Sequence, residues 1–579
     1  MNNPTSSSFS TGRNIVPISN KEEMDAFLQT LKQKKDLWIS ISANERIKIL
    51  DRLVRDFASI APEMVEASLK AKGYPMNGIS EAHEWGLPYS IVRFLHALQR
   101  SLKNISKDER PKIPGSIRTL ASGQVTAQVL PQDFYDKLFW GGMTIDVWMK
   151  EGVTVDSLPK SQAKSYFEKT EEGKVALVLG AGNVIGIPPI DALGKLFVEN
   201  QVVILKLNPI NVYIGPFLEK AFASLIEPGF MRLAYGGSEE GAYLCNHSLV
   251  DEIYMTGSVK TFESIVFGFG SEGAKRKESH TPILKKPIAA ELGGIAPLIV
   301  VPGPWSESDI EYQAESIVAL IAENGGAVCH IPRIMIQHAS WSLKDQLLDQ
   351  IRMVLDRGPL PGSYYPGTKD QQQILIKAHP EAEIFGGQTE NQPQWTLIAG
   401  LNPEDTDDVC FKMESFFGFL GETEIKAPDT PSYIDRAVEF ANTNLSGTLA
   451  AIIFVHPDSM KDTNVADSVE RAIRDLRYGM IALNYSVGPV FMSGASPWGP
   501  FPGSEIYDIQ SGCGFGHNAL MFSQVQKMVL RAPFRSKTKP IAFIDRGEFN
   551  AELIKRFFEF ELSPSFWKVP GMILHALRG

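Results

Sequence analysis

Residues 174–207, KVALVLGAGNVIGIPPIDALGKLFVENQVVILKL, decide the fold. The runs KVALVLG and QVVILKL are apolar without alternation, and the segment between them, IDALGKLFVEN, is amphipathic and of helical length. Strands that do not alternate, joined through helix-sized connections, predict a parallel sheet covered on both faces. IGPFLEKAFASLIEPG and DEIYMTGS continue the series. Residues 298–440 repeat it with PLIVV, a helix, RIMIQ and another helix, so two α/β units are expected. Gly180, Gly182 and Gly186 sit between a strand and a helix, as in a dinucleotide-binding turn, but the acid expected at the end of the second strand is replaced by Lys206.

Upstream, residues 21 to about 103 read as helical. Ser42 and Glu45 form a capping box ahead of an apolar stripe of Ile47, Leu50, Leu53, Val54 and Phe57. VTAQVL (125–130) and MTIDVWM (143–149) read as strands. A Gly/Pro-rich region occupies 486–516, and no internal repeat is seen.

The 579 residues are 44% apolar and 21% charged, sufficient for large buried cores. A net charge of −10 makes neither nucleic acid nor an anionic membrane an obvious partner of the chain as a whole. The basic groups KRK (275–277) and KK (285–286) read as a solvated loop. Cys245, Cys329, Cys410 and Cys513 lack CxxC spacing, which argues against a zinc site or a disulfide scaffold and for a reducing, cytoplasmic setting. Residues 1–20 are polar and read as a disordered tail, and no apolar run is long enough for a transmembrane segment.

Two further stretches carry chemistry. In AAELGGIAP, Glu291 interrupts an apolar run; an acid there either faces water or is buried, with a raised pKa suited to general-base work. In ENGGAVCHIPR (323–333), Cys329 follows a helix-like run bearing Ile310, Ala314, Ile317, Val318 and Ile321, and Gly325 and Gly326 mark the helix stop. A lone cysteine is a buried hydrophobe or a nucleophile.

The order of these elements resembles the aldehyde dehydrogenase superfamily over roughly residues 30 to 520: Asn183, Lys206, TGS (256–258), ELGG (291–294), Asn-x-Gly-x-x-Cys ending at Cys329, MESFFGFLGETEI (413–425) and ANTNLSGTLAAIIF (441–454). DLWISISANERIKILDRLV is similar to the family's first helix with its Trp and Arg. The resemblance implies two α/β sheet domains, cofactor-binding (21–115 and 172–297) and catalytic (298–495). It also implies a small β oligomerisation extension (116–171 and 496–530), with residues 531–579 as a further extension.

The implied activity is NAD(P)-dependent oxidation of an aldehyde to the acid. Cys329 would be the nucleophile, Asn183 with the Cys329 backbone N–H the oxyanion hole, and Glu291 the base that hydrolyses the thioester. Lys206, Gly257, Ser258, Glu414 and Phe416 would bind NAD or NADP, with Gly180 and Gly182 only shaping the chain. A small-molecule aldehyde is the implied partner, and a homodimer or homotetramer the implied assembly. Departures are equally plain: AGNVIGIPP lacks the family's aromatic neighbour of the Asn, Pro209 stands where many members carry an acid, MESFFGFLG leaves Glu414 or Ser415 at the ribose-binding position, and SPWGPFPG (496–503) replaces the usual turn. A CoA-acylating aldehyde dehydrogenase or acyl-CoA reductase, and a non-catalytic scaffold, are the competing readings. His330 is expected to point away from its neighbour Cys329, as successive strand residues do.

Overall fold

The computed structural model describes residues 18–76, 79–357, 362–386, 392–536 and 547–578. Apart from residues 18–20, the expected tail lies outside them. The chain opens on three long helices, Lys21–Ser40, Ala43–Lys72 and Ile79–Ile105. The second starts on the capping box read from the sequence: the Ser42 side chain accepts from the Glu45 N–H while Glu45 returns to the Ser42 N–H. Arg46 is buried, its guanidinium 4.4 Å from the Trp38 ring centroid, and it donates to Asn200 Oδ1 at 2.5 Å, tying this helix layer to the sheet below.

That sheet has six strands in the order Gly512–Cys513, Ile288–Leu292, Glu252–Gly257, Val175–Leu179, Val202–Lys206, Met231–Ala234. All pairs are parallel except the first. The strands Val175–Leu179 and Val202–Lys206 are almost wholly buried, which is why their sequences show no alternation. The chain builds outward from Val175–Leu179 to one side, then returns to lay Glu252–Gly257 on its other side. This is a topological switch point, and its crevice opens at the carboxyl ends of the strands.

A second sheet has eleven strands. Its parallel centre runs from Val525–Arg531 through Met480–Leu483, Ala450–Phe454, Ala296–Val300, Pro332–His338 and Phe419–Ile425 to Trp395–Leu401. Strands Ile117–Thr119, Val125–Leu130 and Thr144–Met149, expected as an oligomerisation extension, continue this sheet antiparallel beyond Val525–Arg531 of the same chain. The basic run 275–277, expected in a loop, closes the helix Gly270–Glu278, where cations oppose the negative end of the helix dipole.

Candidate active site

The two sheets meet where the chain leaves the strand Ile288–Leu292 and enters Ala296–Val300 after only three residues, Gly293–Ile295. Pro332 pairs with Ala296. Each strand is therefore preceded by its key residue at nearly the same height, and the register brings Cys329 beside Glu291. Cys329 Sγ lies 3.5 Å from Glu291 Oε1, and both residues are buried. Burial, against a bond from Trp498, pushes the Glu291 carboxyl up to about 8. Burial, with the nearby charges of Glu291 and Glu414, raises the Cys329 thiol well above its ordinary value. The resting pair is thus a thiol facing a carboxyl group that titrates near neutral pH.

The loop carrying Cys329 is bent by three successive residues in the left-handed region, Asn324 (φ 50°), Gly325 (φ 65°) and Gly326 (φ 82°). Only the asparagine tolerates this readily among residues with a side chain, and a Cβ on Gly326 would run into the Phe417 backbone. Asn324 Nδ2 donates to the Asn183 carbonyl (2.9 Å) and to the Ala327 carbonyl (3.2 Å), while Asn183 Nδ2 donates to the Ala327 carbonyl at 3.0 Å. The Asn183 amide thus reaches the Cys329 loop from the end of the strand Val175–Leu179 and keeps a second N–H. Arg333 braces the loop from below, its Nη2 donating to the Gly326 carbonyl at 2.6 Å and its Nη1 to the Phe417 carbonyl at 2.8 Å. Burial lowers that guanidinium to about 10.

Behind Asn324 lies a buried ion pair. Lys72 Nζ is 2.5 Å from Glu84 Oε1 and donates to Asn324 Oδ1 at 3.0 Å. Lys72→Met is expected to cost about 3–5 kcal/mol of unfolding free energy, because it strands the Glu84 charge in the interior. Urea unfolding of K72M and of the double variant K72M/E84L separates the stranded charge from lost packing: the double variant should recover most of the stability.

Of the expected cofactor residues, Glu414 is near enough for its charge to act on both Cys329 and Glu291. A Cβ on Gly293 would collide with its carboxylate, and Glu414 Oε1 is sealed from water with no hydrogen-bond partner among the described residues. Burial, offset by Arg333, raises this carboxyl to about 7. Ser415, the other candidate at that position, is fully buried. Phe416 stacks edge-on against Tyr365 at 4.9 Å and is held by its N–H to Gln371. Lys206 ends the strand Val202–Lys206, 6% exposed, and no hydrogen bond or ion pair joins its ammonium to another described residue. Burial lowers it to about 8. Gly257 ends the strand Glu252–Gly257 and Ser258 caps the helix Val259–Phe267, both exposed. Gly182 is backed by the Asn208 side chain, so this chain itself fills the inner side of the glycine turn.

Three site features escape a reading of sequence. Trp498, inside the divergent turn 496–503, donates from Nε1 to Glu291 Oε1 at 3.3 Å. The other two are Arg333 and the Lys72–Glu84 pair; the only signal was charge within apolar or helical runs. His330 turns toward Trp498, the residue that bonds Glu291. Residues 329 and 330 form a turn before the strand Pro332–His338, so strand alternation does not apply. Its ring lies edge-on to Trp498 at 5.5 Å, with Nε2 3.5 Å from Glu323 Oε2.

A model of the aldehyde dehydrogenase family matches residues 190–356. Aminoaldehyde dehydrogenase 2 of Zea mays is 27% identical over 378 residues, 59% of this chain and 64% of that protein. 4-Trimethylaminobutyraldehyde dehydrogenase of Bos taurus is 25% identical over 287 residues, 46% of this chain and 51% of that protein. The chain therefore spans between about half and 64% of the length of these curated relatives. Among solved structures, the NAD-dependent aldehyde dehydrogenase from Sinorhizobium meliloti aligns with a TM-score of 0.59 at 15% identity, covering 88% of this chain and 87% of that one. The NADP-dependent glyceraldehyde-3-phosphate dehydrogenase from Bacillus halodurans C-125, complexed with NADP, aligns with a TM-score of 0.59 at 17% identity, covering 89% and 92%. The comparisons thus point one way: the aldehyde dehydrogenase family model matches a segment of this chain, the curated relatives at low identity are aldehyde dehydrogenases, and the two-sheet fold is that of solved aldehyde dehydrogenases.

Proposed function

We propose that the protein oxidises an aldehyde to the carboxylic acid through a covalent thioester on Cys329, with NAD or NADP as the cofactor. The observation that carries this reading is the buried contact of Cys329 Sγ with Glu291 Oε1 at 3.5 Å, beneath a loop that Asn183 clasps. Glu291, ionising near pH 8, takes the thiol proton. The thiolate, toward which the Cys329 backbone N–H points, attacks the aldehyde carbon, and the carbonyl π electrons move to oxygen. The free Asn183 N–H and the backbone N–H are the donors available to that oxyanion. When bound, the oxidised nicotinamide supplies the acceptor for the substrate hydride. Glu291 passes the thiol proton to bulk water and, again a carboxylate, removes a proton from the hydrolytic water. The hydroxide attacks the thioester carbon, and the Cys329 thiolate leaves as the acid is released and regains a proton from Glu291. A base placed at the thioester favours hydrolysis over transfer to CoA.

The cofactor site fits a dinucleotide in two particulars. Among the described residues Lys206 offers a buried ammonium without a partner, and Glu414 an orphaned buried carboxylate oxygen; these suit ribose hydroxyls. Gly257 and Ser258 would lie beside the pyrophosphate, and Phe416 beside Glu414. Gly293→Ala pushes into Glu414 and is expected to weaken NAD(P) binding about ten- to a hundredfold, the worth of a charge-assisted hydrogen bond. Calorimetric titration checks it, and the alkylation rate of Cys329 should stay within a few fold. A homodimer or homotetramer is the assembly this reading carries; sizing in solution tests it.

The deciding experiment follows reduced-cofactor absorbance with NAD or NADP and a panel of aldehydes, with and without CoA. CoA-independent turnover supports the hydrolytic reading. Turnover only with CoA, or none despite cofactor binding, overturns it.

A further inference from the structure

The helix Val569–Arg578 and the turn Phe566–Lys568 before it are apolar on both sides. The inward side, Val569 and Met572, packs with Phe560 of the helix Gly547–Leu562 and with Tyr135 and Phe139 of the short helix Phe134–Phe139. The outward side, at helical spacing, is Phe566, Trp567, Pro570, Ile573 and Leu574, all exposed, with Trp567 at 88%. Phe134 and Leu138 lie exposed on the neighbouring short helix, whose Tyr135 touches Phe560 ring to ring at 5.0 Å. Among the described residues, three of the four exposed Phe and Trp side chains (Phe134, Phe566, Trp567, against Phe269) belong to this one corner.

We propose that this corner docks the protein peripherally on an anionic lipid bilayer, with Phe566, Trp567, Ile573 and Leu574 as the inserted side chains. Two arguments select a bilayer over a second copy of the chain. A stable protein interface engages about 20–30 residues a side, and this patch is a handful; a few apolar anchors with basic neighbours are what an interfacial helix uses. Secondly, the corner's charges lean positive, Lys568 and Arg578 within residues 563–579 and exposed Lys137 on the short helix against exposed Asp133 and Glu559, in a chain whose net charge is −10. Beyond about 8 Å the remote acidic surface is screened at physiological ionic strength, so the charge next to the lipid decides. Tryptophan and phenylalanine are suited to the headgroup boundary. The ten-residue helix is about 15 Å long, half the thickness of a bilayer's hydrocarbon core, so it lies in the surface plane. Consistent with that, no helix among the described residues is long and apolar enough to cross a membrane.

The test is flotation of the full chain with phosphatidylcholine vesicles, with and without roughly a third phosphatidylserine. The expected result is binding to the anionic vesicles that weakens in high salt and falls at least about tenfold in F566S/W567S and in I573S/L574S. These side chains face outward, so both variants should melt as wild type does, and a variant that melts early is replaced by W567S alone. No binding to either vesicle overturns the proposal, as does binding that both double variants retain. Overturned too is a wild-type oligomer that F566S/W567S splits into monomers without any vesicle binding, because the face would then be covered by a second copy.

Discussion

Cys329→Ala is expected to abolish aldehyde oxidation, lowering kcat by at least about a thousandfold while NAD(P) affinity changes less than about threefold. The thiol is a nucleophile in contact with Glu291, and alanine removes the atom on which the thioester forms without touching the loop contacts of Asn183, Asn324 or Arg333. Those contacts end on backbone carbonyls, which the substitution leaves in place. Steady-state turnover and cofactor titration on the same preparation check both halves. Residual turnover near the wild-type rate would remove Cys329 from the chemistry.

The second large effect belongs to Glu291. In Glu291→Gln the first turnover should be slower, because the thiol loses its base, yet still run ahead of hydrolysis and release a stoichiometric burst of reduced cofactor, followed by steady turnover lower by about a hundred- to ten-thousandfold, the span of a lost general base. Gln keeps an acceptor for Trp498 Nε1, so the geometry should hold. In the wild type the deacylation rate should rise with pH through about 8, because the carboxylate is the active form and burial holds it protonated below that value. The same shift fixes a stability effect. An ordinary glutamate ionises near 4.3, so between about pH 4.3 and about 8 the unfolded chain releases a proton that the folded one keeps. Wild type should therefore lose stability relative to E291Q as pH rises through that window, by roughly a few kcal/mol, and the difference should stay constant above it. Urea midpoints at pH 5 and pH 9 would show it. Unburst, wild-type-like turnover in E291Q would end the assignment of the base.

Much of the molecule was legible before any coordinates. The unalternating runs 175–179 and 202–206 gave away strands buried on both faces, because a strand covered by helices on each side has no polar face to mark. Ser42 with Glu45 fixed a helix start, because capping is satisfied within four residues. Cys329, Glu291 and Asn183 stood out by residue type and order. Their meeting did not: it depends on the register that pairs Pro332 with Ala296 and on a reversal at Asn324, Gly325 and Gly326, whose space is limited by the Phe417 backbone far along the chain.

The tertiary structure alone decided what surrounds them. Trp498 reached Glu291 across 207 positions, Lys72 reached Asn324 across 252, and neither partner marks the other in sequence. His330 sits in a turn, where strand alternation has no force. The strands 125–130 and 144–149 read correctly as strands, but their place at one end of the eleven-stranded sheet came from pairing with Val525–Arg531. Local periodicity reports which face of an element is buried, since burial acts on each residue through its own surface. It carries no record of which distant backbone or side chain does the burying, and that is where the pKa of Glu291 and the shape of the Cys329 loop are set.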